Sequence, residues 1–112
     1  ILPLLIQNGI APICTVRKED QAEILRKIVG PRFAKFVMNT SLPSFEKDMA
    51  KLCAKMRPKT CLECVSGDMT GKIMDLMGFD TTLILYGLLS DKPAGGINVI
   101  DLTNINSCSF IW

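Results

Sequence analysis

Apolar positions along the chain alternate between two rhythms, short apolar runs and stripes at helical spacing, with turn residues between them. Ile1 to Asn8 reads as the last turns of an apolar helix stopped at Asn8-Gly9, with Pro3 tolerated in a first turn. Pro12-Ile13-Cys14-Thr15-Val16 reads as a short buried strand that ends on Arg17-Lys18. Glu19 and Asp20 open a helix, where carboxylates complement the positive end of the dipole. Its apolar positions are Ala22, Leu25, Ile28 and Val29, and Gly30-Pro31 ends it. Phe33 to Met38 is predicted as a second strand, with Asn39-Thr40-Ser41 as the turn after it. Over residues 43–56, Phe45, Met49, Leu52, Cys53 and Met56 fall on one stripe of a 3.6-residue period, and Pro58 closes the helix. A strand over 60–65, the turn Ser66-Gly67-Asp68 and a helix over 69–77 carrying Ile73, Met74 and Met77 follow. Thr82 to Tyr86 is a nearly continuous apolar strand stopped by Gly87. A loop over 90–96 contains Pro93 and Gly95-Gly96, and an extended segment runs from Ser107 to Trp112.

Strands that alternate with helices through short connections predict a parallel sheet covered on both faces, the doubly wound α/β class. No repeat and no internal boundary is visible, so residues 1–112 read as one domain or part of one. The 112 residues are 48% hydrophobic and 21% charged, enough apolar sequence for one core and too much for a disordered chain. Thirteen Lys/Arg against eleven Asp/Glu leave a net charge of +2, too mild to argue for nucleic acid. The chain has no histidine, which removes His-based triads and His metal sites.

Five cysteines, Cys14, Cys53, Cys61, Cys64 and Cys108, are an odd number set in apolar runs and read as reduced thiols. In Cys61-x-x-Cys64, strand geometry points the two sulfurs to opposite faces. No second pair or histidine completes a metal site, so none is expected. A redox role for this pair would need a depressed thiol pKa. The apolar start Ile1-Leu2-Pro3-Leu4-Leu5-Ile6 is far below the ~20 residues of a membrane span and has no basic flank. With no initiator Met, the chain reads as though cut from something longer, and its location, intracellular in either mitochondrion or cytoplasm, stays open.

In an open parallel sheet, ligands bind outside the carboxyl ends of the strands. Arg17 and Lys18 lie at such an end. In a dinucleotide fold, an acid there accepts the ribose 2′-hydroxyl of NAD, whereas Arg receives the 2′-phosphate of NADP. The plainer reading is a solvated charge. Gly67 and Gly87 allow close backbone approach or serve only their turns, and Tyr86 offers a hydroxyl or packs as an amphipathic strand end. Ser44, Asp68 and Asp75 form no nucleophile arrangement, and no catalytic residue is assigned. The methionines read as filler between helix and sheet. No G-x-G-x-x-G occurs among the eight glycines.

The order of motifs nonetheless resembles the medium-chain dehydrogenase/reductase superfamily. Asn8-Gly9-Ile10 into Thr15-Val16-Arg17-Lys18-Glu19-Asp20-Gln21 resembles its second strand and following helix. Phe36-Val37-Met38-Asn39-Thr40-Ser41 resembles its third strand, and Glu63-Cys64-Val65-Ser66-Gly67-Asp68-Met69-Thr70-Gly71 the turn after the fourth. Leu85-Tyr86-Gly87-Leu88-Leu89-Ser90 looks like its "YGALS" segment, and Ser109-Phe110-Ile111-Trp112 like the "GFWL" ending the sixth strand. The series covers nearly all of the chain in order, and it looks most like the zinc-independent quinone reductase-like branch, near the enoyl thioester reductases.

The resemblance implies a Rossmann-like doubly wound sheet, NADPH as cofactor, and hydride transfer to a quinone or an electrophilic alkene such as a 2-enoyl thioester. It implies that Arg17 and Lys18 take the 2′-phosphate, and that Ser66 and Gly67 lie on the adenosine-ribose side with Tyr86 and Gly87 deeper. Phe110 and Ile111 would flank the nicotinamide through their backbone. The family's strand order is 3-2-1-4-5-6, and strand 1 with its glycine turn has no counterpart here, nor has the catalytic domain. The chain is therefore expected to be a partial NADP-binding domain, not competent alone, that needs the remainder of its own chain or a partner subunit. A homodimer is compatible with this. The rival expectation is a non-catalytic reductase-like subunit that uses the sheet as a scaffold.

Overall fold

A computed structural model describes residues 1–78 and 80–97, and the backbone of 107–110. The chain packs as two compact units, residues 1–52 and 53–112.

In the first unit, helix α1 (Leu2–Gln7) carries Pro3 in its first turn, where a missing N–H costs nothing. Strand β1 (Cys14–Val16) leads into α2 (Glu19–Val29), which opens on Glu19 and Asp20 and ends at Gly30 with φ 84°. Strand β2 (Val37–Asn39) pairs parallel to β1, with Thr15 opposite Met38. The core is Cys14 and Val37 from the strands against Ala22 and Val29 of α2, with Leu2, Ile6, Val16, Leu25 and Phe33 packed around it. Ile28, expected on the apolar face of α2, instead faces solvent.

The strand expected over 33–38 is shorter. Residues 34–36 form a 3-10 turn, held by Phe36 N–H donating to Phe33 O, and extended backbone begins only at Val37. Side chains three apart eclipse in a 3-10 turn. Here the rings of Phe33 and Phe36 come to 6.3 Å, with Arg32 and Lys35 each over one ring. Helix α3 (Phe45–Met56) buries the predicted stripe at Phe45, Met49 and Cys53.

In the second unit, β3 (Thr60–Glu63), β4 (Thr82–Leu85) and β5 (Ser107–Phe110) form a parallel sheet in that order. Helix α4 (Asp68–Met77) makes the crossover from β3 to β4. Met74 and Ile73 of α4 and Leu83 and Leu85 of β4 supply its buried apolar side chains. Each fully buried side chain of this size stabilises by roughly 1.5–3 kcal/mol. Both sheets are parallel, as the doubly wound class requires, and each reproduces one half of the order 3-2-1-4-5-6 without the strand numbered 1. No helix among the described residues is long and apolar enough to cross a membrane.

Candidate functional site

The residues singled out from sequence fall at carboxyl ends of strands. In the first unit, Arg17 and Lys18 directly follow β1, and both side chains are exposed. The turn that carries them is fixed from its neighbour: Thr40 N–H donates to Val16 O at 2.8 Å, and the Ser41 hydroxyl donates to Arg17 O at 2.6 Å. Lys18 is the N-cap of α2 and its carbonyl accepts from Ala22 N–H.

Glu19, the next carboxylate along, is occupied. It forms an ion pair with Arg26 at 2.6 Å and accepts from Asn39 Nδ2 at 3.0 Å at the end of β2. The Arg26 hydrogen bond, then that from Asn39, holds its carboxyl below the usual glutamate range. A shallow hollow of about 560 Å³ in this unit is lined by Glu23, Arg26, Lys27, Gly30 and Pro31. These residues run from the middle of α2 past its carboxyl end, whereas Arg17 and Lys18 stand at its start.

In the second unit, Ser66, Gly67, Tyr86, Gly87 and the backbone of Phe110 come together at the ends of β3, β4 and β5. Tyr86 N–H donates to Glu63 O at 2.9 Å, and Phe110 stands beside Leu85 in the ladder. Ile111 lies outside the described residues. Gly87 is needed for space, since a Cβ there would sit 2.8 Å from Cys64 O and 3.1 Å from Cys64 Cβ. Gly67 is needed for conformation, with φ 68° and ψ −152°, a region open essentially only to glycine. Tyr86 is 51% exposed. Its hydroxyl is hydrogen-bonded to the Cys64 thiol, which together with partial burial pushes its pKa up.

Ser66 is the unusual member. It is 1% exposed, adopts a left-handed φ of 64°, and its hydroxyl has no hydrogen-bond partner. Buried polar groups are normally paired, so an orphan oxygen at a strand end marks either strain or a place for a ligand.

Sequence reasoning passed over the residue that builds this turn. Glu63 is 5% exposed, and its carboxylate accepts from Ser66 N–H at 2.8 Å, Val65 N–H at 2.5 Å and the Thr70 hydroxyl at 2.7 Å. Those bonds go with β3 ending at Glu63 rather than at Val65, because the Val65 and Ser66 amides are turned into the side chain and cannot extend the ladder. The signal was present as an acid inside the apolar run Cys61-Leu62-Glu63-Cys64-Val65. Cys14, Cys53, Cys61 and Cys64 are free thiols. Burial pushes Cys61 up to about 12, the opposite of what a redox thiol requires.

No family model matches the chain. It is 25% identical over 113 residues to the mitochondrial enoyl-[acyl-carrier-protein] reductase of Xenopus tropicalis, covering 98% of this chain and 32% of that one. Its structure is similar to the crystal structure of a candidate NADPH:quinone reductase from Mesorhizobium loti, with a TM-score of 0.79 and 26% identity. That match covers 100% of this chain and 32% of the other, so the chain spans about a third of the length of both relatives. The two parallel ladders and the ordered motifs at their carboxyl ends thus go with a chain that is similar, over about a third of their length, to a quinone reductase-like protein and an enoyl reductase.

Proposed function

We propose that this chain forms the NADPH-holding part of an oxidoreductase that reduces a small-molecule quinone or 2-enoyl thioester. The observation that carries the reading is the state of the charges after β1. Arg17 and Lys18 follow the strand directly with exposed side chains, while the neighbouring carboxylate, Glu19, is engaged by Arg26 and Asn39. A 2′-phosphate would meet two cations, and the acid that would read a bare ribose is taken.

The residues of the second unit fit the same ligand. Ser66 brings an unpartnered hydroxyl, Gly67 and Gly87 keep the backbone of both turns bare, and Tyr86 adds an exposed phenol. Phe110 and Ile111 would border the nicotinamide through main-chain groups. When bound, NADPH supplies hydride to an electron-poor alkene or quinone. The part of these residues is to hold the cofactor: in the first unit Arg17 and Lys18 can give charge-assisted hydrogen bonds, and in the second the β3 and β4 turns can give main-chain and hydroxyl contacts. The glycine-rich phosphate turn and the substrate pocket would come from the remainder of its own chain or from a partner subunit, with a homodimer as one arrangement. The Xenopus relative is mitochondrial by name; a mitochondrial or cytoplasmic setting goes with this reading.

Titrating the full-length protein with NADPH and NADH tests it. NADPH is expected to bind more tightly, and Arg17→Ala to raise its Kd by about 10–100-fold, the loss of a charged hydrogen bond of roughly 1.5–3 kcal/mol, with NADH little changed. Equal affinity for the two, or binding of neither, overturns the assignment. NADPH binding without turnover on any quinone or 2-enoyl thioester would favour the non-catalytic scaffold.

A further inference from the structure

The turn that carries Ser66 lies beneath a second stretch of chain, residues 88–97. Leu89 N–H donates to Cys64 O at 3.0 Å and Ser90 N–H to Val65 O at 2.9 Å. The Ser90 hydroxyl stands 3.1 Å from where a Cβ of Gly67 would be. Farther along, Gly95 engages the start of α4 through its backbone on both sides. Its N–H donates to Gly67 O at 3.0 Å, and its carbonyl accepts from Gly71 N–H at 3.0 Å. Gly71 lies within α4, where the ordinary partner of its N–H is the carbonyl four residues back, that of Gly67. Only a glycine permits this approach, since a Cβ on Gly71 would be driven into the Gly96 carbonyl. Ser66 sits between Val65 and Gly67, both bonded by this stretch, and is 1% exposed with its hydroxyl unpaired.

We propose that residues 88–97 are a strap that must lift from α4 before a ligand reaches the Ser66 hydroxyl, and that Gly71 and Gly95 are its latch. The latch is suited to reversible opening because lifting it leaves no helical group stranded. Gly71 N–H and Gly67 O, each now bonded to Gly95, are i+4 and i of one helical turn and become each other's partner when the strap leaves. Gly95 N–H and O pass to water. At the latch, opening therefore exchanges the two Gly95 bonds for one helical bond and two solvated groups; the Leu89 and Ser90 amides and the Cys64 and Val65 carbonyls pass to water as well, and the unpaired serine gains access to a partner. A ligand that binds only the open form has its apparent affinity reduced by the open fraction, so the strap sets both the affinity and the rate of entry. This deepens the cofactor reading, because Ser66 belongs to the proposed cofactor side; the strap itself is tested without any cofactor.

In the full-length protein, Ser66→Cys places a thiol at the covered position, and pulsed alkylation read by mass spectrometry at residue 66 reports its exposure. Labelling is expected to be slow in this variant and at least tenfold faster when Gly71→Ala is added. In the unmodified protein, native-state hydrogen exchange in a series of low denaturant concentrations should show the amides of Gly71, Ser90 and Gly95 opening together. Their opening should be nearly insensitive to denaturant, while those of Leu83 and Leu85 exchange only with global unfolding. Equal labelling of residue 66 in both backgrounds overturns the proposal, as does exchange of the strap amides only together with β4. If Gly71→Ala loosens β4 as well, the denaturant series on the unmodified protein decides by itself. Slower labelling of residue 66 on adding NADPH ties the strap to the cofactor. An NADPH-independent rate leaves the strap intact and counts against placing Ser66 on the cofactor side.

Discussion

Removing the Glu63 carboxylate should be among the most damaging single changes in the second unit, although no catalytic role is assigned to it. The side chain is 5% exposed and accepts from two backbone amides, Val65 and Ser66, and from the Thr70 hydroxyl, itself fully buried. Glu63→Ala leaves three donors without an acceptor, two of them buried and the Val65 amide half-buried. At about 1–3 kcal/mol for each unsatisfied group, less whatever water enters the space, the cost comes to roughly 3–6 kcal/mol. That is a large fraction of the 5–15 kcal/mol typical of a domain. Glu63→Gln keeps the shape and one carbonyl oxygen, which can still accept from both amides, and its NH₂ can donate to Thr70 Oγ1 once that hydroxyl turns around. Its cost should be about 1–2 kcal/mol, and Thr70→Ala, which deletes one bond, about 1 kcal/mol. Urea denaturation of the full-length protein and its variants measures all three. A cost below about 1 kcal/mol for Glu63→Ala, or equal costs for Ala and Gln, would refute the claim that this carboxylate organises the turn.

Two further outcomes follow from the same unit. The Cys61 thiol is held up at about 12 against an ordinary 9.0, chiefly by burial, with Glu63, Cys53 and Cys64 adding to the shift. Unfolded chains therefore ionise first, so stability is fully present below pH 9 and declines as pH rises from 9 towards 12. Burial moves Cys14 and Cys53 in the same direction, so Cys61→Ala should flatten this alkaline limb without abolishing it, and denaturation at pH 8, 9 and 10 would show it. Gly87→Ala should cost about 1–3 kcal/mol, because its Cβ meets the backbone carbonyl of Cys64, which cannot rotate away as a side chain could. An unchanged melting temperature for this variant would mean that the β3 and β4 turns do not approach as closely as described.

What the sequence disclosed and what it withheld divide by the range of the forces involved. Helix α3 was legible because Phe45, Met49 and Cys53 repeat at a spacing that only a helix brings to one face. The segment over 33–38 reads as a strand because its apolar residues fit one as well as they fit an aromatic pair three apart on a 3-10 turn, and the turn here follows Phe33 and Ala34 N–H donating to Gly30 O. Motif order put Ser66 and Gly67 directly after a strand over 60–65; they lie in the turn after β3, which ends at Glu63, and nothing local tells what holds them there. Their amide and carbonyl partners are Glu63 before them and Gly95 far downstream. Gly71 shows the difference most directly. Within its own helix it is only a weak helix former, worth about 1 kcal/mol less than alanine. Against Gly96 it is the one residue that fits. A glycine that a helix does not want and a neighbouring backbone requires is a record of tertiary contact written at a single position, and its meaning appears only once that contact is known.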